Sequence, residues 1–265
     1  MSNNPLRSIV LIGLITGSLT AHPGHTHDDD FHEAYAEPIE QAHNLSAWNA
    51  VPVFKTDLVV SFGGNQRING TMTMTPSTSH TRIDQKSGES LVWDGSNAWV
   101  SPASSNFGMA RFHLLTWPYF LAVPFKIQDP GTHLEDLGLQ TIDGVEYATA
   151  RLTFGENVGD APKDWYVLFT NTETNVLEGM SYIVSYGKDD NAIEESTPSS
   201  IRYHDYTTVN GVAIPQRWTF HAWDQQTQSF GALKGEAKLS NMEVLPAIPD
   251  GHFEKPADAK EDVLP

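Results

Sequence analysis

Leu91-Val92-Trp93-Asp94-Gly95-Ser96-Asn97-Ala98-Trp99-Val100-Ser101-Pro102 decides the fold class of this chain. Runs of aromatic and β-branched residues flank Asp94-Gly95. Asp and Gly tolerate the positive φ that a two-residue hairpin loop demands, so the stretch reads as two antiparallel strands and a tight turn. The signal recurs at Asp143-Gly144 and Asn210-Gly211, again between strand-like segments. Three hairpins of this kind point to a large antiparallel sheet. Working outward, period-two patterning places strands at 56–62, 68–74, 81–84, 90–93 and 98–101. Further strands are expected at 132–142, 145–154, 164–170, 176–187, 199–209, 212–223 and 229–244. Successive side chains alternate between the two faces of a strand. Leu58, Val60 and Phe62 therefore share one face, as do Met180, Tyr182, Val184 and Tyr186. Ile214, Trp218, Phe220 and Ala222 share another, opposite Arg217, Thr219, His221 and Trp223.

One segment interrupts the series. Residues 107–125 read FGMARFHLLTWPYFLAVPF, with Phe112, Leu115, Trp117 and Phe120 among apolar residues on nearly every side of a helix. A helix apolar all round must be buried or must cover an apolar surface. Pro118 and Pro124 kink or end it. The segment reads as a broken helix lying across the open face of the sheet. A second helix is expected near 31–42, from the stripe Phe31, Ala34, Tyr35, Ile39 and Ala42, with Pro38 as a break or kink.

Composition narrows the function classes. The 265 residues carry 33 Asp+Glu against 16 Lys+Arg, a formal net charge of −17. Nucleic acid is excluded as a partner, because its phosphates demand a basic footprint. With no cysteine, disulfides, thiol catalysis and thiolate metal sites are also excluded. The length suits a single all-β domain with one core.

At the N-terminus, Arg7 precedes an apolar run from Ile9 to Thr20, and Leu19-Thr20-Ala21 ends in a small residue. That is the layout of a secretory signal, and the run is too short to span a membrane as a helix. Residues 1–21 are thus read as a signal peptide and the mature protein as soluble, exported to the periplasm or beyond. Residues 22–30, HPGHTHDDD, read as a His/Asp-rich disordered spacer, with His22, His25 and His27 as weak metal-ligand candidates. Residues 31–245 form the single β domain, and 246–265, with Pro246, Pro249, Pro256 and Lys260-Glu261-Asp262, read as a flexible acidic tail.

A family resemblance rests on these residues. Gly70-Thr71-Met72-Thr73-Met74, the hairpin Leu91 to Gly95 and Ala98-Trp99-Val100-Ser101-Pro102, followed by a helical segment, resemble the LolA/LolB-like outer-membrane lipoprotein-sorting superfamily. The resemblance covers the hairpin region closely and the remainder by architecture. It implies a mainly β (α+β) fold: a curved antiparallel sheet, or incomplete β-barrel, with a helical lid, here 107–125. It also implies a hydrophobic hollow for acyl chains. No residue is matched to the lid-gating arginine of the carriers, and Arg111 is a candidate by position alone.

The expected ligand-binding set is Met72, Met74, Trp99, Phe112, Leu115, Trp117, Phe120, Tyr182, Trp218 and Phe220. Methionine is soft and adaptable, and aromatic side chains line apolar pockets, although packed cores use the same residue types. In Gly159-Asp160-Ala161-Pro162-Lys163-Asp164, the two carboxylates are a pair for acid/base work or a metal, or an Asp-Pro turn bonding local backbone. The scattered histidines form no His-x-x-x-His pair, and there is neither a Gly-x-Ser-x-Gly elbow nor a phosphate loop. The reading is a non-catalytic carrier without cofactor. Its partners would be a lipid, a lipoprotein acyl chain or another hydrophobic small molecule, and an envelope protein. The alternatives are a cell-envelope interaction module with a filled barrel, or a secreted hydrolase using Asp160, Asp164 or His133.

Overall fold

The structure is a computed structural model that describes residues 26–156 and 158–263. The expected signal segment, His22, His25 and the side chain of His27 lie outside what it describes. Helix α1 spans Thr26–His43 and α2 Leu45–Asn49. Strands follow as β1 (Val53–Phe62), β2 (Asn65–Met74), β3 (Thr81–Gln85), β4 (Ser90–Trp93) and β5 (Ala98–Ser101). Helix α3 (Ala110–Ala122) and a 3₁₀ turn (Val123–Phe125) come next. Then come β6 (Thr132–Ile142), β7 (Val145–Phe154), β8 (Tyr166–Asn171) and β9 (Leu177–Tyr182). Short α4 (Asp190–Glu194) precedes β10 (Ser199–Val209), β11 (Val212–Asp224), β12 (Ser229–Leu245) and the two-residue β13 (Lys260–Glu261).

Among the described residues these thirteen strands form one sheet, ordered β13-β5-β4-β3-β2-β1-β12-β11-β10-β9-β8-β7-β6. Every pairing is antiparallel, and the sheet curls without closing, with β13 and β6 as its edges. This is the expected incomplete barrel. The curl needs close approach at particular points. A Cβ on Gly70 would meet the Asp84 carbonyl oxygen at 2.2 Å, so only glycine lets β2 and β3 approach this closely.

Alternation sorts the side chains as expected. Leu58, Val60, Met72, Ile83, Leu91, Ile201, Trp218 and Phe220 are fully buried on the concave face. A separate outer cluster gathers Ile142, Tyr147, Phe169 and Trp223 on the convex face, with Phe230 against it. Helix α1 seals one end with Ala36, Ile39 and His43, running through Pro38 rather than breaking there. The Tyr35 hydroxyl meets the Ala148 carbonyl at 3.2 Å and Thr170 Oγ1 at 2.9 Å.

Several expectations are corrected. Asp143-Gly144 and Asn210-Gly211 form two-residue turns with positive φ at both positions. Asp94-Gly95 instead belongs to a four-residue loop, 94–97, because the Asp94 carboxylate accepts from the backbone N–H groups of Ser96 and Asn97 at 2.9 and 2.8 Å. Helix α1 begins at Thr26, so the stretch 22–30 read as a disordered spacer is helical from Thr26 onward. The C-terminal segment is no loose tail: Phe253 is buried, and β13 pairs with Trp99 and Val100 of β5. An unpaired edge of backbone N–H and C=O groups on β5 supplies the reason for that docking.

Candidate functional site

Helix α3 crosses the open side of the sheet and packs on β3, β4 and β5. Its first turn lacks a side-chain cap: Met109 stands at the N-cap position with φ 57° and no capping hydrogen bond. The cap comes from the far end of the chain. Asp262 Oδ2 accepts from the Arg111 backbone N–H at 2.8 Å, so a carboxylate sits where the helix carries positive partial charge. The Arg111 side chain stacks over the Trp93 ring at 4.7 Å and forms a two-point ion pair with Asp160, with Nη2 to Oδ1 at 2.8 Å. That pair links the start of α3 to the loop between β7 and β8. Its two side chains are only 13% and 17% exposed.

Two cavities open beside α3. The larger, about 750 Å³, is lined by Phe62, Trp117, Tyr182 and the exposed Met109 and Arg67, with Lys234 and Ser199 across from them. The smaller, about 240 Å³, is lined by Leu115, Tyr119, Phe154, Tyr166 and Tyr186, with Asp160 and Asp164 at its wall. Phe112, Thr116, Phe120 and Val184 line both, so the cavities adjoin along one side of α3. Lining dominated by aromatic and aliphatic carbon, with a few polar groups, is the usual make-up of a small-molecule site.

The ten expected site residues divide into three groups. Phe112, Leu115, Trp117, Phe120 and Tyr182 line the cavities. Met72, Met74, Trp218 and Phe220 are at 0% exposure in the packed core and line neither cavity. On the β3–β5 side, α3 presses against the sheet and fills the hollow that the sequence reading assigned to the methionines. Trp99 lies on the outer face of β5, its Nε1–H donating to Asp94 Oδ2 at 2.6 Å and Lys255 Nζ lying 4.2 Å over its ring. It faces the C-terminal segment and not the hollow. The neighbours Ala98 and Val100 point to the core, so the period-two rule alone places Trp99 outside.

Polar groups at the smaller cavity are largely spoken for. Asp164 Oδ1 accepts from both the backbone N–H and the hydroxyl of Ser185 at 2.6 Å. Burial raises the Asp164 carboxyl above its usual range, against the lowering effect of those hydrogen bonds. Asp160 is held by Arg111. The expectation that both aspartates bond local backbone is thus corrected: each reaches a distant element. Of the three residues of the hydrolase alternative, Asp160 and Asp164 come together at the wall of the smaller cavity, whereas His133 is exposed on β6 and lines neither cavity. The Tyr119 hydroxyl is buried with no partner among the described residues, and its ring lines the smaller cavity.

In the larger cavity, His113 Nδ1 accepts from the Trp117 indole N–H at 3.0 Å. Burial, with Arg67 nearby, lowers the His113 pKa to about 4, so the ring is neutral at pH 7. Residues that sequence reasoning left out of the site are Phe62, Tyr119, Phe154, Tyr166, Val184 and Tyr186. The alternation over 180–186 already put Val184 and Tyr186 beside Tyr182. Tyr119 belongs to the apolar segment 107–125, whereas nothing local marks Phe154, and the two meet across the cavity at a ring distance of 6.1 Å.

No family model matches the sequence, and no curated protein matches it significantly. Solved structures do match. A LolA superfamily protein from Nitrosomonas europaea superposes with a TM-score of 0.56 at 13% identity, over 83% of this chain and 97% of that one. A domain described as an outer membrane lipoprotein-sorting protein from Vibrio parahaemolyticus gives 0.50 at 7%, over 84% and 97%. A DUF1329 family protein from Desulfovibrio piger gives 0.48 at 9%, over 86% and 97%. For the first two of these, at such identities, the likeness is one of fold alone.

Proposed function

We propose that this chain, a divergent protein of LolA-like fold, binds a hydrophobic ligand beside α3 and does so without catalysis. The observation that carries the reading is the pair of adjoining apolar cavities sharing Phe112, Thr116, Phe120 and Val184. Pockets of roughly 300–1,000 Å³ hold small organic molecules, and the larger cavity falls within that range at about 750 Å³. Affinity would come from apolar burial, at roughly 25 cal/mol per Å² before the costs of ordering. A lipid or a lipoprotein acyl chain suits two adjoining cavities walled by aromatic rings. The outer membrane lipoprotein-sorting description of one fold neighbour supports that class of ligand. Export through residues 1–21 would place the protein where such ligands travel.

The test is native mass spectrometry of protein purified from an exporting host, before and after organic extraction. Co-purified lipid lost on extraction is the expected result. A clean apo mass, with no uptake of added acyl chains, overturns the reading.

A second reading is an envelope interaction module, and the observation in its favour is exposed apolar surface on the β6–β7 hairpin, beside the buried outer cluster of Tyr147, Phe169 and Trp223. Leu139 is exposed on the opposite face of that hairpin, and Val145 is exposed on the face the cluster occupies. A clean apo mass together with capture of a partner through that face would establish it.

A further inference from the structure

The larger cavity has a charge pattern that runs against the composition of the chain. Acidic residues outnumber Lys+Arg by 33 to 16. Yet the charged residues lining this cavity are Arg67 and Lys234, and among the described residues no Asp or Glu lines it. Both cations are exposed at the rim, on β2 and β12. Arg67 makes no ion pair among the described residues, and Lys234 Nζ only donates to Ser199 Oγ at 3.0 Å. The wall below them is aromatic, with Phe62 and Trp117 at a ring distance of 6.4 Å, backed by the buried Phe220 of the core at 4.8 and 6.1 Å. His113, also on that wall, stays neutral at pH 7 and adds no charge. The smaller cavity is the opposite case, since its charged residues are Asp160 and Asp164, both engaged by the protein itself.

We propose that the ligand is an anionic amphiphile, whose carboxylate or phosphate head is met by Arg67 and Lys234 and whose acyl chain runs past Phe112 and Phe120 toward the smaller cavity. This rests on the reading of the groove as a hydrophobic-ligand site and gives that site a direction. Two free cations at a rim without carboxylates attract an anion in a protein that otherwise repels it. A guanidinium presents a planar fork that matches a carboxylate or phosphate in two-point geometry, and a lysine adds a mobile point charge. The reverse orientation would bring an anionic head against the Asp160 and Asp164 wall.

The test is displacement of an uncharged fluorescent probe, N-phenyl-1-naphthylamine, from the full mature chain by four C16 competitors: hexadecanoate, hexadecyl phosphate, hexadecanol and hexadecylamine. At low salt the two anions should displace the probe about tenfold more effectively than the alcohol, and the amine should be the weakest. The advantage should shrink as salt rises, since rim charges are screened. In the double variant Arg67→Gln/Lys234→Gln the gap should close, with the anions falling to the level that hexadecanol shows on the same variant. A larger advantage for the phosphate than for the carboxylate assigns a phospholipid-type head, and the reverse a fatty acid. Equal displacement by anion and alcohol, or a preference that survives the double variant, overturns the anionic assignment and leaves the hydrophobic site standing. A probe that does not bind, with no competitor taken up, overturns both.

Discussion

The Tyr203 hydroxyl on β10 donates to the backbone carbonyl of Phe120 on α3 at 2.7 Å, in the buried interior. That carbonyl needs an outside donor, because the helical partner four residues on is Pro124, which has no N–H. A proline that ends the helix thus creates the acceptor by which the sheet holds it. Tyr203→Phe should cost about 1–3 kcal/mol, because the buried carbonyl is left unpaired. Urea unfolding of the two proteins measures this. A change below a few tenths would show that water replaces the hydroxyl.

The cap on α3 gives the C-terminal segment a structural task. Asp262→Ala removes the acceptor for the Arg111 N–H, and a lost N-cap contact costs about 1 kcal/mol. A thermal melt should register the loss, and protease cleavage within 107–112 should become faster. An unchanged cleavage rate would detach the segment from the helix it caps.

His43 makes the protein sensitive to mild acid. Its ring is wholly buried, with Nε2 accepting from the Leu177 N–H at 3.1 Å and Nδ1 facing the Ala213 carbonyl at 3.4 Å. This arrangement suits the neutral tautomer, and burial holds the pKa at about 4 against 6.5 for the free side chain. Between those values the unfolded chain binds the proton and the folded chain does not. Stability is therefore full above pH 6.5 and falls as pH drops toward 4, by about 3 kcal/mol from this residue. His113 adds a loss of the same sign. In His43→Gln the slope of unfolding free energy across that window should flatten. A slope identical to the parent would assign the acid sensitivity elsewhere.

Leu115 tests how far the groove accepts a chain. It is half-buried and lines only the smaller cavity. Leu115→Trp should fill much of that space, weakening C16 ligands by about tenfold while leaving C8 ligands nearly unchanged. Competition titrations with the two chain lengths provide the measurement. Equal weakening of both would mean that the chain enters by another route.

The architecture was legible because its causes are local. Positive-φ residues at Asp143-Gly144 and Asn210-Gly211 set hairpins, and period-two alternation set which side of each strand faces inward. The same rule put Ile214, Trp218 and Phe220 on one shared inward face, and the apolar excess over 107–125 marked the helix that crosses the open sheet. The sequence also carried the charge balance and the lack of thiols, which exclude whole classes of function. What it could not carry is volume. Met72, Met74, Trp218 and Phe220 have the chemistry of a pocket wall, yet α3 presses against the sheet beside them and leaves no space. Open space depends on how far α3 stands from β9 and from the loop after β7, a distance no single segment encodes. The Arg111–Asp160 pair spans 49 positions and the Asp262 cap 151, so neither leaves a local trace. Local chemistry wrote the sheet and its inward face. Only the packing of distant elements decided which part of that face is filled and which part stays open to a ligand.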